Sequence, residues 1–173
     1  AGLLDQIAAC QEAMAAIEKQ LADIAKLDTR CQRLMAASGV GLITATALSA
    51  GIGDFARFPS GRHFASALGL TPREYSSGGT RKLGRITKQG DVFLRTLLIH
   101  GARSALIVAA TARKRGQPLD RTQQWALALA ERKGHNKAAV ALANKVARRL
   151  WASEHHGTSF DPEHISRREP RAA

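Results

Sequence analysis

The chain has 173 residues, 45% of them hydrophobic, enough for one ordinary domain with its own core plus one appended element and too few for two large domains. Its 26 Lys and Arg residues against 14 Asp and Glu give a formal charge of +12 and a pI near 10.8, so a polyanion, nucleic acid above all, is the expected partner. A membrane role is not expected: no basic amphipathic segment carries an aromatic face, and the apolar runs read as too short to cross a bilayer.

The two cysteines, Cys10 and Cys31, lack CxxC spacing and have no paired histidines nearby, so neither a zinc site nor a disulfide framework is indicated and a reducing cytoplasm is the expected compartment. The chain opens at Ala1 in mid-pattern, without signal-peptide features, and reads as a fragment of a longer protein. From there Leu3, Ile7, Cys10, Met14, Ile17, Leu21 and Ile24 recur at alternating steps of four and three, the a/d seam of a coiled coil. With no Gly or Pro between Leu3 and Ser38, a long helix follows. Its partner is a second chain, giving a homo-oligomer, or another helix of the same chain; the alternative is an amphipathic helix lying on a globular core.

The segment SGVGLITATALSAGIGDFARF predicts a helix ending near Ala37, a turn at Gly39, Val40 and Gly41, and a new helix from Leu42 to Ala50. That succession describes a helix-hairpin-helix, in which glycines let a phosphate approach the backbone and the first amides of the second helix offer an anion site. Sequence-independent backbone binding by Gly39, Val40 and Gly41 is its natural use; glycines serving interhelical packing alone are the alternative.

A short helix is expected over Gly61 to Leu68, broken by Gly69 and Pro72. The loop that follows holds Tyr75, Ser76, Ser77, Gly78, Gly79 and Thr80, flanked by Arg73, Arg81, Lys82, Arg85 and Lys88 with only Glu74 opposing. Hydroxyls beside glycines and fixed cations suit phosphoryl transfer to a protein nucleophile, because a serine must approach phosphorus while cations receive the developing charge. On composition alone, a solvated connector or a passive phosphate binder is the commoner use of such a loop.

Asp91 caps a predicted central core helix carrying Leu94, Leu97, Leu98, Ala102, Ala105, Leu106 and Ala109. Gly116, Gln117 and Pro118 then turn the chain into a helix from Leu119 to Arg132, and Gly134 separates it from one running from Lys137 to Trp151. The fold class is therefore all-α, with every element helical. The tail from Ser153, with His155, His156, Pro162, His164, Arg167, Arg168, Pro170 and Arg171, reads as basic and poorly ordered, its histidines solvated rather than metal-binding. The expected division is a coiled-coil helix over 1–33, a helical domain over 34–152 and the tail over 153–173.

The succession GVGLITATAL, IGDFARF, ALGLTPREYSSGG, LGRITKQGDVFLRTLL and GHNKAAVALANKVARRLW, in order from about Leu34 to Trp151, resembles the C-terminal transposase domain of the IS110/IS116/IS902 family, and the preceding heptads resemble the coiled-coil linker of those proteins. The resemblance implies a recombinase that moves an insertion element with a structured guide (bridge) RNA. It implies an N-terminal RuvC-like domain whose acidic DEDD set binds Mg²⁺, and a C-terminal serine that forms a covalent phosphoserine with DNA. The matching position is Ser77, immediately before the glycine, with Ser76 second; Tyr75, the only tyrosine, is a further chemically feasible nucleophile. Nothing here resembles the DEDD half, so no metal site or cofactor is expected in these residues, Mg²⁺ belongs to the N-terminal domain, and the fragment alone should bind nucleic acid without cutting it. Neither His63 nor His100 sits in a motif that would make it a base. The implied partners are DNA of the element ends and target, the guide RNA and a homo-oligomeric copy. Target choice then rests on base pairing to the guide, and the implied location is the bacterial cytoplasm, acting at the nucleoid. Two other readings remain: a non-catalytic helix-hairpin-helix module that grips duplex backbones, and an RNA-binding structural protein of ribosomal character.

Overall fold

The computed structural model describes residues 2–161 and Glu163. Seven α-helices dominate, as an all-helical chain requires: α1 Leu3–Leu27, α2 Thr29–Met35, α3 Leu42–Ile52, α4 Gly61–Ala67, α5 Val92–Lys114, α6 Arg121–Lys133 and α7 His135–His156. The departure is a small antiparallel hairpin, β1 Pro72–Glu74 with β2 Leu83–Ile86, where sequence had indicated an irregular loop.

Helix α1 packs on α2 and α3 only near its C-terminal end. Ala25 is its one buried residue, and Leu3, Ile7, Met14, Ile17 and Ile24 of the heptad seam are exposed along with Leu4 and Leu27. The helix also stops earlier than the absence of Gly and Pro suggested. Asp28 adopts extended backbone (φ −93°, ψ 104°) and caps α2, its carboxylate accepting from the Arg30 amide at 2.8 Å. The same carboxylate accepts from the Cys31 thiol at 3.1 Å and the Ser49 hydroxyl at 2.9 Å. Capping thus outcompetes helix continuation at this residue and ties the α1–α2 junction to α3. The thiol and hydroxyl donors, with the Arg30 amide, hold the Asp28 carboxyl at about 2, below its ordinary 3.8. Burial, followed by the neighbouring Asp28, pushes the Cys31 thiol up to about 11, which makes it an inert core residue rather than a nucleophile.

The glycine turn between α2 and α3 is a packing device at its first glycine. Gly39 has φ +86°, and a Cβ there would sit 2.6 Å from the carbonyl oxygen of Gly101 in α5. In return, a Cβ on Gly101 would fall 1.8 Å from the Gly39 oxygen. Val40 is buried. Gly41 caps α3 without a side-chain bond and has open space where a Cβ would go, so any phosphate-gripping role of this turn falls to Gly41 and the amides after it.

The core centres on α7, whose Ala138, Ala139, Leu142, Ala143, Val146, Ala147 and Leu150 are buried against α4, α5 and α6. The run of alanines lets the neighbouring helices approach closely. Trp151 closes one end, its indole N–H donating to the carbonyls of Phe55 at 3.1 Å and Phe58 at 3.0 Å. Arg33 grips Glu154 with two bonds of 2.9 Å, and Arg30 approaches the same carboxylate at 3.4 Å, joining α2 to α7 through a side chain only 3% exposed. By length and composition, Val92–Lys114 is apolar enough to cross a bilayer, longer than the apolar runs had suggested. In this fold it is a core helix packed on α7, burying Leu94, Leu98, Ala102, Leu106 and Ala109.

Helix α7 continues past Ser153 to His156, with His155 stacked on Trp151 at 4.5 Å and Phe160 lying under the Arg149 guanidinium at 4.4 Å. The first residues of the expected tail are therefore structured. Pro162, His164, Arg167, Arg168, Pro170 and Arg171 lie outside the described residues.

Two outcomes follow from these contacts. Gly39→Ala should lower stability by about 2–4 kcal/mol, because a side chain in left-handed backbone and overpacking against α5 both act, whereas Gly41→Ala should be close to neutral; chemical denaturation of the two variants checks the difference. Because the Asp28 carboxyl titrates lower folded than unfolded, its stabilisation is complete above the ordinary 3.8 and lost as pH falls through about 2. The Tm gap between the parent and Asp28→Asn should therefore be open at neutral pH and close over that acid window.

Candidate functional site

The serine and its flanking cations sit on an arm that leaves the bundle after α4 and returns at the start of α5. The root of the arm is a backbone clamp. A Cβ on Gly69 (φ +67°) would lie 2.1 Å from the Gln89 oxygen, and one on Gly90 (φ +81°) 1.8 Å from the Ala67 oxygen. Only glycine at both positions lets the outgoing and incoming strands meet there. The amide of Lys88 donates to Gly69 at 3.1 Å and that of Thr87 to Thr71 at 2.9 Å. Arg95, 7% exposed, places one guanidinium nitrogen 3.1 Å from the Leu68 carbonyl, 3.2 Å from that of Gln89 and 3.4 Å from that of Asp91. Asn144 of α7 donates to the Leu70 carbonyl at 3.0 Å.

Beyond the clamp, Pro72 pairs with Ile86 and Glu74 with Leu83, with an irregularity between them. The Tyr75 amide continues the pairing to Lys82 at 2.9 Å, and Ser77 faces Thr80 in a last bridge, the Thr80 amide donating to the Ser77 carbonyl at 3.0 Å. Gly78 (φ +56°) and Gly79 (φ +78°) form the turn; two successive left-handed residues are what a two-residue hairpin needs to match strand twist. The Gly-Gly pair between Ser77 and Thr80 was the available sequence signal for a hairpin, masked by the charged flanks that make the strands read as loop.

The two serines differ. Ser76 donates to the Glu74 carboxylate at 2.6 Å and accepts from the Lys82 amide at 3.1 Å, so its hydroxyl is committed to the hairpin. Ser77 stands at the tip beside the turn, exposed, and among the described residues no side-chain hydrogen bond engages its hydroxyl. Arg73, Arg81, Lys82, Arg85 and Lys88 are all exposed on the same arm. Arg81 lies 3.7 Å from Glu74, and Arg73 reaches the Thr87 carbonyl at 3.4 Å. Glu74, the arm's one carboxylate, is thus shared between Ser76 and Arg81. His63 is occupied elsewhere, its Nδ1 2.8 Å from the Ser60 hydroxyl in the cap of α4. The glycine turn does not join this site: it docks at Gly101, six residues along α5 from Arg95, a separation of about 9 Å on the helix axis.

What fold and site define together is a basic helical domain that holds a free serine hydroxyl among cations on a clamped hairpin. The chain belongs to the transposase IS116/IS110/IS902 family, whose sequence pattern it matches over residues 31–117. It is 44% identical over 160 residues to a probable family 20 transposase of Pseudomonas aeruginosa, covering 92% of this chain and 46% of that protein. It is also 43% identical over 141 residues to the transposase for insertion sequence element IS1111A of Coxiella burnetii, covering 82% and 37%. The transposase for insertion sequence element IS1328 of Yersinia enterocolitica is 37% identical over 144 residues, covering 83% and 41%. The chain thus spans less than half the length of these relatives.

The clamp gives a direct prediction. Arg95→Met keeps the stem but leaves the Leu68 and Gln89 carbonyls without their buried donor, which should cost about 2–3 kcal/mol and loosen the arm before the bundle. Native-state trypsin digestion should then cut at Arg81, Lys82 or Arg85 faster than in the parent; equal rates would show that the glycine contacts alone hold the root.

Proposed function

We propose that this chain is the C-terminal, DNA-handling part of an insertion-sequence transposase that acts as an RNA-guided recombinase, with Ser77 as its nucleophile. The observation that carries the reading is the unengaged Ser77 hydroxyl at the tip of a rigidly rooted hairpin lined by Arg73, Arg81, Lys82, Arg85 and Lys88, in a chain of this family. Ser77 Oγ attacks the scissile phosphorus, forming the serine–phosphate bond as one strand P–O bond breaks. The serine proton is lost to a base and the departing strand oxygen takes up a proton. Reversal by another strand end rejoins DNA without an external energy source, because the phosphodiester is conserved as phosphoserine. The arm's cations bind the phosphate and stabilise its added charge, and Ser76, held by Glu74, keeps the tip in shape.

Among the described residues no group of three or more His, Cys, Asp or Glu side chains could hold a metal. The acidic, Mg²⁺-binding RuvC-like domain belongs, in this reading, to the additional length that the relatives carry. DNA of the element ends and target and a structured guide RNA are the partners, in the bacterial cytoplasm. The exposed α1 seam of Leu3, Ile7, Met14, Ile17 and Ile24 supports pairing with a second copy as a coiled coil.

The second reading, a backbone-gripping module without chemistry, is favoured by one feature: α3 starts at Gly41 with no side-chain cap, leaving amides for a phosphate. The experiment that separates the two uses the full-length protein with its guide RNA, target DNA and Mg²⁺. Ser77→Ala should abolish the covalent protein–DNA adduct on a denaturing gel while binding stays within about twofold, and Ser76→Ala should keep the adduct. An adduct that persists in Ser77→Ala moves the chemistry to Ser76 or Tyr75, and no adduct in the parent favours the module.

A further inference from the structure

Positive charge gathers at a second place, on the helices rather than the arm. Lys145 and Arg148 lie three residues apart on α7 and so share a face. The Lys145 ammonium sits 4.3 Å from the ring centre of Trp125 in α6, and Arg121 is one turn before Trp125 on the same side of that helix. Helix α4 starts in backbone contact with α7 at Arg148: a Cβ on Gly61 would lie 2.8 Å from the Arg148 oxygen, and Arg62 is the next residue. Three helices far apart in sequence therefore bring Arg62, Arg121, Lys145 and Arg148 to one surface.

No ion pair among the described residues engages any of these four cations. Near Arg121 the carboxylate of Glu163 accepts from the main-chain amide at 3.0 Å rather than pairing with the guanidinium. The carboxylate facing Lys145 is that of Asp120, which caps α6 by accepting from the Gln123 amide at 2.8 Å. Arg149 belongs to a different side, donating to the Thr122 hydroxyl at 2.6 Å and covering Phe160. Burial, then the positive charges of Arg149, Arg148 and Arg121, disfavour the Lys145 ammonium, and burial followed by Arg62 does the same to Arg148. An anion bound across these side chains would offset the repulsion among them.

We propose that Arg62, Arg121, Lys145 and Arg148 form a second nucleic-acid surface that binds the phosphate backbone of the duplex whose cleavage site the serine arm engages. The proposal rests on the nucleic-acid reading of the chain. Continuity argues for a duplex rather than a small anion. Asn144, one turn before Arg148, holds the arm root at Leu70, so the surface borders the root of the arm that carries the other cations. A track of spaced charges suits a polymer carrying one negative charge per about 1.7 Å of axis. The side chains reach phosphates without a pocket for bases, so recognition is independent of sequence.

The test measures binding of this chain to a labelled 20-base-pair DNA duplex and to an RNA–DNA hybrid duplex by fluorescence anisotropy across a salt series. The variants are Arg62→Gln with Arg148→Gln, and Arg121→Gln with Lys145→Gln; Lys19→Gln on exposed α1 is the charge-loss control. Each double variant should bind at least about tenfold more weakly, with a log–log salt slope shallower by about two, near one per lost phosphate contact. Tm should change little, relieved like-charge repulsion offsetting the lost Lys145–Trp125 contact. Losses on both duplexes identify a shared backbone site, and losses on the hybrid alone assign it to the RNA-containing duplex. Affinity and slope equal to the parent, or weaker binding with a lowered Tm and unchanged slope, overturn the proposal. A parent chain that binds neither duplex overturns the underlying nucleic-acid reading as well.

Discussion

The structure depends on backbone meeting backbone where no side chain can intervene. At the arm root, Gly69 and Gly90 bring two strands against the Gln89 and Ala67 carbonyls, and the Arg95 guanidinium gathers the carbonyls exposed by that pinch. Arg95 belongs to α5, and the same helix receives the α2–α3 turn at Gly101. One helix thus fixes both the direction in which the arm leaves and the position of the N-terminal helices, and burial of its Leu94, Leu98, Ala102, Leu106 and Ala109 face holds that helix in the bundle. A single buried cation bonded only to main-chain oxygens suits this place, since main-chain partners survive changes of neighbouring side chains.

Positive charge is divided between two structural uses. Arg30 and Arg33 converge on the nearly enclosed Glu154, and the geometry there, two-pronged and shielded, makes them part of the architecture. The arm cations and those of α4, α6 and α7 are solvent-facing and almost unpaired, with Glu74 their one close carboxylate partner on the arm. A net charge of +12 says only that cations are in excess; their separation into a shielded set and a free set comes from the fold.

The helices were legible because their evidence is periodic. The apolar spacing of α5 and α7 survives any local exception, and the boundaries moved by only a few residues. The break at Asp28 was hidden because it depends on a thiol and a hydroxyl from other positions, Cys31 and Ser49. The hairpin was hidden because its strands bury nothing: the residues of β1 are all exposed, so alternation, the usual sign of a strand, is absent. The serine, the arm cations and the glycines could be named from sequence, but what each does locally could not. Gly39 and Gly41 look alike in the chain, yet one is pressed against α5 and the other faces open space. The surface shared by Arg62, Arg121, Lys145 and Arg148 had no sequence signature, since its members are spread over α4, α6 and α7.

Successive residues of an extended strand point to opposite sides, and Ser76 and Ser77 are successive. Glu74 and Ser76 share one side, which explains their hydrogen bond; Ser77 takes the other. Which hydroxyl is held and which is presented is therefore a matter of parity, counted back from the two-glycine turn to Glu74. In a hairpin of this kind, the count of residues from the turn decides which hydroxyl faces solvent as firmly as residue type does.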